Sequence, residues 1–541
     1  MVRPSVSISD EVLPIPAEEI PAAYWEADAR MNFEESEKIM SDKAKDARKA
    51  KNVILFLGDG MGLPSIAAGR FYANKKLDGK PSKFSFENWD YNTVARTYDL
   101  ETMVMLCVKK NLSTPPSPKC NGLLHYLTLA GTKTRTGMLG VSGAIKVKEC
   151  VAYNDTVKTI SILKAAAKAG KATGILTTAR VTHASPAGAF GHSAFRDWES
   201  DKDVQKDCQT DCSCVDLAQQ LALENLDVNV ILGGGRAKFL PNTTKLATDE
   251  NERLDGKDLT DMWLKAQLAK GRKAAYAGTI EAYKAVDTSK VDYFMGLLYP
   301  SHLPYVLHRT PGEPTLPELT EKAIQILQHN PNGFFLFVEG GRIDHGHHDN
   351  KAKHALTELV EMSEAVDKAV SMVNMEETLI IVTADHSHSF EIVGRPARFD
   401  SLLVKDKHYG PNALDKKGLL PLMYINGPGA PVNETRKDVN KMTDEETSGN
   451  DFLQQALVPI RWSTHGGDDV PVYATGPFSW MFHRTVDNTF IAQTMKYAMC
   501  VEPYTAEEHC SRSTSDTDGT ATVHKPFFGA ILAFLVLLFR P

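Results

Sequence analysis

The chain has 541 residues, a hydrophobic content of 42%, a formal net charge of −7 and 17 histidines. This length and composition suffice for a large buried core, which excludes a disordered or fibrous protein. The lack of a basic excess argues against nucleic acid as a partner. The negative net charge does not exclude a small anionic substrate, because a local metal site can outweigh the net charge of the chain.

Strand-like apolar runs alternate with helical stretches after an acidic, helical N-terminal arm of residues 1–50. The clearest elements, in chain order, are helix Trp25–Lys51, strand Asn52–Leu57, helix Asp155–Ala169, strand Ala172–Thr178, strand Val228–Leu232, helix Leu319–Gln328, strand Phe334–Val338, helix Ala352–Val373 and strand Leu379–Thr383. Short runs of Val, Ile, Leu and Phe are typical of strands buried on both faces of a parallel sheet. The alternation predicts an α/β fold, a three-layer sandwich with helices on both faces of a large, mostly parallel sheet. Residues 397–460 lose the alternation, which predicts a small inserted surface subdomain.

The cysteines and glycosylation motifs indicate the secretory pathway. Eight cysteines form no zinc-finger or redox pattern, and the close pair Cys500 and Cys510 suggests disulfides. Four N-glycosylation sequons agree with that compartment, at Asn111, Asn154, Asn242 and Asn433.

The C-terminal residues 511–541 have the pattern of a GPI-anchor signal. A polar, small-residue stretch, Ser511–Thr522, precedes the apolar run Phe527–Phe539. That run is shorter than the roughly 20 residues of a membrane-spanning helix; a tail-anchored helix and a buried core helix are the alternatives. We expect attachment near Thr514 to Asp518. Met1–Ser36 holds no apolar signal-peptide segment, so we expect that the secretion signal either lies upstream of this sequence or is unconventional.

Metal-type ligands follow nearly every strong predicted strand. The clusters, in chain order, are Gly58–Gly62, Thr182–Ser185 with Arg196, Glu339 with Asp344–His348, Asp385–His388, and the late Thr464–Asp469. Each alone also fits a turn, a cap or a solvated loop, but sites in open α/β sheets form beyond the carboxyl ends of strands. Mixed His and carboxylate ligands favour zinc, and carboxylate with hydroxyl favours magnesium. Two metals about 4 Å apart can clamp both the attacking and the leaving oxygen of a phosphoryl group.

Five segments closely resemble animal alkaline phosphatases. They are Ile54–Gly62, Thr182–Pro186, Phe335–His348, Thr383–His388 and Thr464–Val470. The resemblance covers most of residues 10–100 and 130–510 and implies an alkaline phosphatase domain at 51–510, with 397–460 as its crown-like subdomain. It implies hydrolysis of small phosphate monoesters, an alkaline optimum, a homodimer and a GPI anchor at the extracellular face of the plasma membrane. Phosphodiesterases, sulfatases and mutases of the same fold are less similar in the THASP and HGHH segments.

The resemblance also implies a role for each site residue, with two Zn²⁺ ions and one Mg²⁺ ion as cofactors. The ligands of the first zinc would be Asp344, His348 and His465. Those of the second would be Asp59, Asp385, His386 and the nucleophilic serine. Those of magnesium would be Asp59, Ser185 and Glu339. Arg196 matches the phosphate-binding arginine, and His183 and His345 match histidines around the magnesium and zinc ions.

The family's disulfides map to Cys150–Cys214 and Cys500–Cys510, which leaves Cys208 and Cys212 as an extra pair. Some members carry a calcium site. Tyr299 stands here in place of one of its acidic ligands, so no calcium is expected.

The resemblance breaks where the nucleophile should lie. In the family, an Asp-Ser pair follows a Thr-Tyr-Asp stretch, and its serine attacks phosphorus. Here Thr97–Val104 and Leu129–Thr134 keep the pattern, but Met105–Thr128 between them does not contain the motif. Three interpretations follow: a faulty gene model, a splice form or inactive enzyme that serves as a GPI-anchored binding or receptor protein, or a rebuilt nucleophile. The candidates for a rebuilt nucleophile are Ser113, Thr114 and Ser117, although the nearby prolines disfavour the helix that a nucleophile normally begins.

Overall fold

The computed structural model describes residues 17–45, 47–73, 83–102, 128–208, 213–244, 251–397, 400–408 and 413–512. Its main feature is a ten-stranded sheet of order β15-β2-β14-β8-β1-β7-β3-β4-β6-β5. The strands of this sheet are β1 Asn52–Gly58, β2 Tyr91–Arg96, β3 Ala172–Arg180, β4 Val230–Gly234, β5 Ala274–Ala277, β6 Tyr293–Tyr299, β7 Phe334–Gly340, β8 Thr378–Ala384, β14 Val470–Thr475 and β15 Val486–Asp487.

The sheet is mostly parallel, and its centre is buried on both faces. Strand β14 runs antiparallel to its neighbours β2 and β8, and the other neighbouring strands of this sheet pair in parallel. Every residue of β1, β3, β7 and β8 is buried. Continuous apolar sequences such as NVILFL and FFLFV therefore fill the middle layer of the fold.

Two groups of helices cover the two faces of this sheet. In chain order the α-helices are α1 Ala22–Ile39, α2 Ser41–Lys45, α3 Leu63–Ala73, α4 Ile162–Lys168, α5 Ala184–Ala187, α6 Asp201–Asp207, α7 Leu217–Gln219, α8 Leu259–Ala269, α9 Ile280–Ala285, α10 Leu316–Leu327, α11 Arg342–His348, α12 Ala352–Met372, α13 Asp444–Thr447 and α14 Thr489–Met499. Helices α10 and α12 pack on each other and on β7, while α4 and α14 pack on each other and on β7 and β1 respectively. The predicted α/β class and three layers are confirmed.

Two helices begin at residues other than those predicted, because local hydrogen bonds set where each helix starts. Helix α10 begins earlier than the predicted Leu319, because Thr315 and Glu318 form a capping box. Helix α4 begins at Ile162, after the N-cap Ser161, so residues 155–161 of the predicted helix are not helical. Their backbone instead pairs with a neighbouring loop: Val157 accepts a hydrogen bond from Ser142 N (2.8 Å), and Thr159 N donates to Gly140 O (3.0 Å).

A second, three-stranded sheet lies between Phe390 and Pro459 in the sequence. Its strands, in spatial order, are β10 Phe390–Ile392, β11 Leu422–Gly427 and β12 Gln455–Pro459. It overlaps the predicted insertion at 397–460 and has its own cluster of buried apolar side chains, including Leu403 and Tyr424. Two further short strands, β9 Ser387–His388 and β13 His465–Gly466, pair with each other.

Both disulfides that the resemblance implied are present, Cys150–Cys214 and Cys500–Cys510. Cys208 is disulfide-bonded as well, while Cys212, its expected partner, lies outside the described residues. Within the described part of the chain, no helix combines the length and the apolar character that crossing a membrane requires. The predicted anchor signal from Ser513 onward lies outside that part.

Candidate metal centre

Four neighbouring strands bring the predicted ligands to one edge of the sheet. In the order β8-β1-β7-β3, all pairings are parallel, so their carboxyl ends meet at this edge. Asp59 follows β1, Asp385 and His386 follow β8, Glu339 lies near the end of β7, and Ser185 lies in α5 just after β3. All five side chains are buried. The placement agrees with the expectation from strand ends.

The three residues expected around the first zinc are in contact. Asp344 and His348 lie one turn apart on α11, so both point to the same side. From Asp344 Oδ1, His348 Nε2 is 3.4 Å away and His465 Nε2 is 3.7 Å away. The two imidazole Nε2 atoms are 3.2 Å apart. The structure therefore groups these donors around a common space.

The residues expected around the second zinc form an adjoining group. His386 Nε2 lies 3.0 Å from Asp385 Oδ2 and 3.4 Å from Asp59 Oδ1. Asp385 Oδ1 accepts a hydrogen bond from Gly60 N at 3.0 Å, which fixes the carboxylate against the loop after β1. The His386 ring stacks on His465 with centroids 3.6 Å apart, so the two groups share a boundary.

His388 also lies at this centre, although the sequence resemblance predicts no role for it. Its Nε2 lies 2.5 Å from Asp344 Oδ1. Strands β9 and β13 place His388 directly opposite His465. The signal in the sequence is its position two residues after His386, but the pairing of two distant short segments is a tertiary feature.

The buried carboxyl groups of the centre are unfavourable for one another electrostatically. Burial, together with Asp385 and Glu339, raises the pKa of Asp344 well above its usual range. Burial also raises the pKa of Glu339 to about 7, although Ser185 and Thr177 oppose the rise. Buried carboxylates this close repel one another, and cations relieve that cost.

The imidazoles divide into two classes. Burial lowers the pKa of His348 to about 3 and holds the pKa of His465 and His388 well below the usual value, so these rings are neutral. Burial also acts to lower the pKa of His386, but Asp385 and Asp344 outweigh it and the pKa is raised. Neutral imidazole is the form that binds metal.

Unsatisfied buried oxygens test whether this donor set fits the expected ions. Among the described residues, Glu339 Oε1 and Asp344 Oδ2 are buried and accept no hydrogen bond. Buried carboxylate oxygens normally have partners, so both fit cation ligands. Glu339 Oε2 accepts from Thr177 Oγ1, which leaves Oε1 available. Imidazole with carboxylate suits Zn²⁺, and carboxylate with the Ser185 hydroxyl suits Mg²⁺.

Arg196 is buried beside these carboxylates. Its backbone N donates to Gly137 O at 2.8 Å, and its Nη2 lies 3.5 Å from His183 Nε2. Burial lowers its pKa, while Asp197, Asp59 and Asp344 act in the opposite direction. Nη1 is buried and has no hydrogen-bond partner in the described part of the chain. A guanidinium with such a free edge is suited to an anion such as phosphate.

The HGHH segment places its three histidines in different surroundings. His348 faces Asp344, whereas the two nitrogens of His347 lie 2.9 Å from Ser65 Oγ and Tyr424 Oη. These two contacts hold His347 between α3 and the second sheet, with its ring 5.1 Å from that of His388.

His345 and His183, the two flanking histidines of the prediction, adjoin a third ring that the sequence analysis missed. The His302 ring lies 4.4 Å from the ring of His345 and 5.4 Å from that of His183. His302 Nε2 is 2.6 Å from Arg180 Nη1, and Arg180 also forms an ion pair with Glu199 at 2.7 Å. His302 follows β6 without a recognisable motif, so no sequence signal distinguished it.

The predicted nucleophile segment, residues 105–128, lies outside the described residues except for the buried Thr128. The candidate nucleophiles Ser113, Thr114 and Ser117 are therefore outside as well.

Comparisons with known proteins show the family of this chain. A family model described as alkaline phosphatase matches residues 50–501. The tissue-nonspecific alkaline phosphatase of Rattus norvegicus is 36% identical over 97% of this chain and 95% of its own length. The alkaline phosphatase of Gadus morhua is 36% identical over 90% of this chain and 98% of its own length.

A solved structure, the alkaline phosphatase of Thermus thermophilus, has the same fold, with a TM-score of 0.58 and 23% identity over 84% of this chain and 92% of that one. The family model spans residues 50–501, and these two relatives span 97% and 90% of the chain. The protein belongs to the alkaline phosphatase family of hydrolases.

Proposed function

We propose that this chain hydrolyses phosphate monoesters at a centre that holds two Zn²⁺ ions and one Mg²⁺ ion. The observation that carries the proposal is the pair of adjoining donor groups around Asp344 and His386, with Arg196 buried beside them. The first zinc would be held by Asp344, His348 and His465, the second by Asp59, Asp385 and His386, and magnesium by Asp59, Ser185 and Glu339. When bound, these ions supply Lewis acidity for the oxygens of a phosphoryl group.

The residues of the chain then bind and orient the phosphoryl group. Arg196 presents a planar fork that matches two phosphoryl oxygens, and His183 holds its Nη2 from one side. His388 fixes the Asp344 carboxylate. Recognition that stops at the phosphoryl group supports a broad range of monoester substrates.

We further propose that the protein acts outside the cell as a GPI-anchored homodimer. Three of the predicted glycosylation sites, Asn154, Asn242 and Asn433, are exposed, as glycan attachment requires. The disulfides Cys150–Cys214 and Cys500–Cys510 support an oxidising compartment.

A second candidate function is favoured by one observation on the sequence. Met105–Thr128 contains no Asp-Ser pair to supply the nucleophile. A chain that keeps the metal donors and Arg196 but lacks the serine would bind zinc and phosphate as a catalytically impaired, GPI-anchored binding or receptor protein.

One experiment separates the two functions. The purified full-length chain is loaded with Zn²⁺ and Mg²⁺, and release of p-nitrophenol from p-nitrophenyl phosphate is compared with that of chelator-treated protein and of Asp344→Ala. Turnover that both controls lose supports the enzyme. Zinc and phosphate binding without turnover supports the binding protein, and the absence of both activities contradicts both proposals. Sequencing the transcript across the codons for Met103 to Lys133 shows which chain the organism makes.

A further inference from the structure

A second group of metal-type donors lies away from the centre described above. It consists of His308, His354 and Asp451, and one ligand atom from each lies within 4.8 Å of the other two. His308 ends the short turn Val306–His308 after β6, His354 lies in the first turn of α12, and Asp451 precedes β12. Three segments far apart in the sequence thus converge on one point.

The distance from each imidazole to the Asp451 carboxylate is close to one edge of a zinc site. His308 Nε2 is 3.3 Å from Asp451 Oδ2, and His354 Nε2 is 3.2 Å from Asp451 Oδ1. Two ligands that each lie about 2.0–2.1 Å from a tetrahedral zinc ion are about 3.3 Å apart. Both contacts are also hydrogen bonds of the protein, at or just beyond the long end of the usual N–H···O range of about 2.7–3.2 Å.

The donors around Asp344 provide an internal comparison. There the Nε2 atoms of His348 and His465 are 3.2 Å apart, and His348 Nε2 lies 3.4 Å from Asp344 Oδ1. The outlying group therefore has the same donor types as the group around Asp344 and similar carboxylate–imidazole distances, with its two imidazoles on different oxygens of Asp451.

The surroundings hold the three donors in place and leave one side open. The side chain of His354 is fully buried, and its ring packs against Tyr305 with centroids 4.2 Å apart. Lys351 Nζ lies 2.9 Å from Asp451 Oδ1, which orients the carboxylate. The side chains of His308 and Asp451 are 45% and 56% exposed, so an ion and its remaining water ligand can enter from solution.

We propose that His308, His354 and Asp451 bind an additional Zn²⁺ ion, with water in the remaining position. Two imidazoles and one carboxylate suit zinc, whereas Mg²⁺ and Ca²⁺ take oxygen ligands. The ion fastens the loop after β6 and the segment before β12 to the start of α12. Helix α12 directly follows α11, which carries Asp344 and His348. The bound ion would therefore connect the second sheet to the helices next to the metal centre.

Zinc stoichiometry tests the proposal. Full-length protein is stripped with a chelator, reloaded with ZnCl₂ and separated from free metal, and bound zinc is measured by inductively coupled plasma mass spectrometry. We expect His308→Ala and Asp451→Ala each to hold one zinc ion per chain fewer than the unaltered protein. Both side chains are partly exposed, so neither substitution opens a cavity in the core. Equal zinc content in all three proteins would overturn the proposal.

Two further comparisons make the result specific. His329→Ala is the matched control, because the half-exposed His329 imidazole lies 3.2 Å from Asp292 Oδ1 but forms part of no three-donor group in the described part of the chain. It should retain the full zinc content; a loss equal to that of His308→Ala would contradict the assignment. The difference of one zinc should also persist in an Asp344→Ala background, so failure of the main centre and failure of this site are distinguishable.

Thermal unfolding provides a second readout that does not depend on activity. Saturating zinc should raise the midpoint of the unaltered protein and of His329→Ala by more than that of His308→Ala, because an ion that binds only the folded chain stabilises it. If zinc raised the unfolding midpoint of His308→Ala as much as that of the unaltered protein, the result would contradict a stabilising zinc site at His308.

Discussion

His388 Nε2 lies 2.5 Å from Asp344 Oδ1, the carboxylate oxygen that also faces His348 and His465. The same oxygen lies 3.9 Å from His386 Nε2, so four imidazoles adjoin it, two of which are expected ligands of the first zinc. His388 is placed to orient this carboxylate, as partners of metal ligands commonly do.

We expect His388→Ala to weaken zinc binding without unfolding the chain. Loss of a residue that orients a metal ligand typically costs about 10–100-fold in affinity. The measurement is competition for zinc against a chromogenic chelator. The control is His509→Gln, a buried histidine whose Nε2 contacts Tyr497 O (2.9 Å) rather than a residue of the centre. Unchanged zinc affinity in His388→Ala would show that Asp344 is held by other contacts.

We expect Arg196→Ala to weaken the binding of inorganic phosphate about 10- to 150-fold, since charge-assisted hydrogen bonds contribute about 1.5–3 kcal/mol. Arg196→Lys should not restore the affinity, because an ammonium cannot form the bidentate contact. Phosphate binding to the metal-loaded protein is measured by calorimetry and does not require a nucleophile. The control is the exposed Arg461→Ala. If Arg196→Lys bound phosphate as tightly as the unaltered protein, a bidentate contact from the Arg196 guanidinium would be contradicted.

A buried carboxyl on α12 gives the protein a predictable pH dependence of stability. Burial, with Glu361 adding to it, raises the pKa of Glu358 from 4.5 to about 7. The folded state therefore holds this proton more tightly than the unfolded state. The resulting stability is fully present below about pH 4.5 and is lost as the pH rises through about 7. The shift corresponds to a loss on the order of 3 kcal/mol.

Glu358→Gln tests the predicted direction of this pH dependence of stability. The amide oxygen can still accept the hydrogen bond from Val306 N, which is 2.7 Å long in the structure, but it does not titrate. The variant should be more stable than the unaltered protein well above the pKa of about 7, and the gain should vanish below pH 4.5. The measurement is urea unfolding at several pH values. A gain that is constant with pH would mean that Glu358 does not titrate in this range.

The disulfides Cys150–Cys214 and Cys500–Cys510 should contribute unequally to the stability of the folded chain. Cys150–Cys214 closes a loop of 64 residues and Cys500–Cys510 a loop of 10. In the chain-entropy description, the longer loop stabilises by about 4 kcal/mol and the shorter by about 3 kcal/mol. Replacing Cys150 and Cys214 together by Ala should therefore lower the unfolding midpoint more than replacing Cys500 and Cys510. The reverse order would show that local strain or packing dominates.

Much of the fold was readable from local pattern. The runs Asn52–Leu57 and Phe334–Val338 were predicted as buried strands and lie side by side at the centre of the sheet, because unbroken apolar runs have no face to turn to water. Residues 155–161 show where prediction from local pattern fails. Their sequence favoured helix, but backbone hydrogen bonds to residues 140 and 142 outweighed local propensity.

The chemistry of the centre could be predicted from the sequence, because ligand type is a property of single residues and the strand-end positions of Asp59, Glu339 and Asp385 follow from local pattern. Which donors share a space depends instead on tertiary packing. His388 joins Asp344 through the pairing of β9 with β13, and His302 joins His183 and His345 from the end of β6. His308, His354 and Asp451 are separated by up to 143 residues along the chain. Such contacts depend on how the elements pack, which no local pattern of residues specifies.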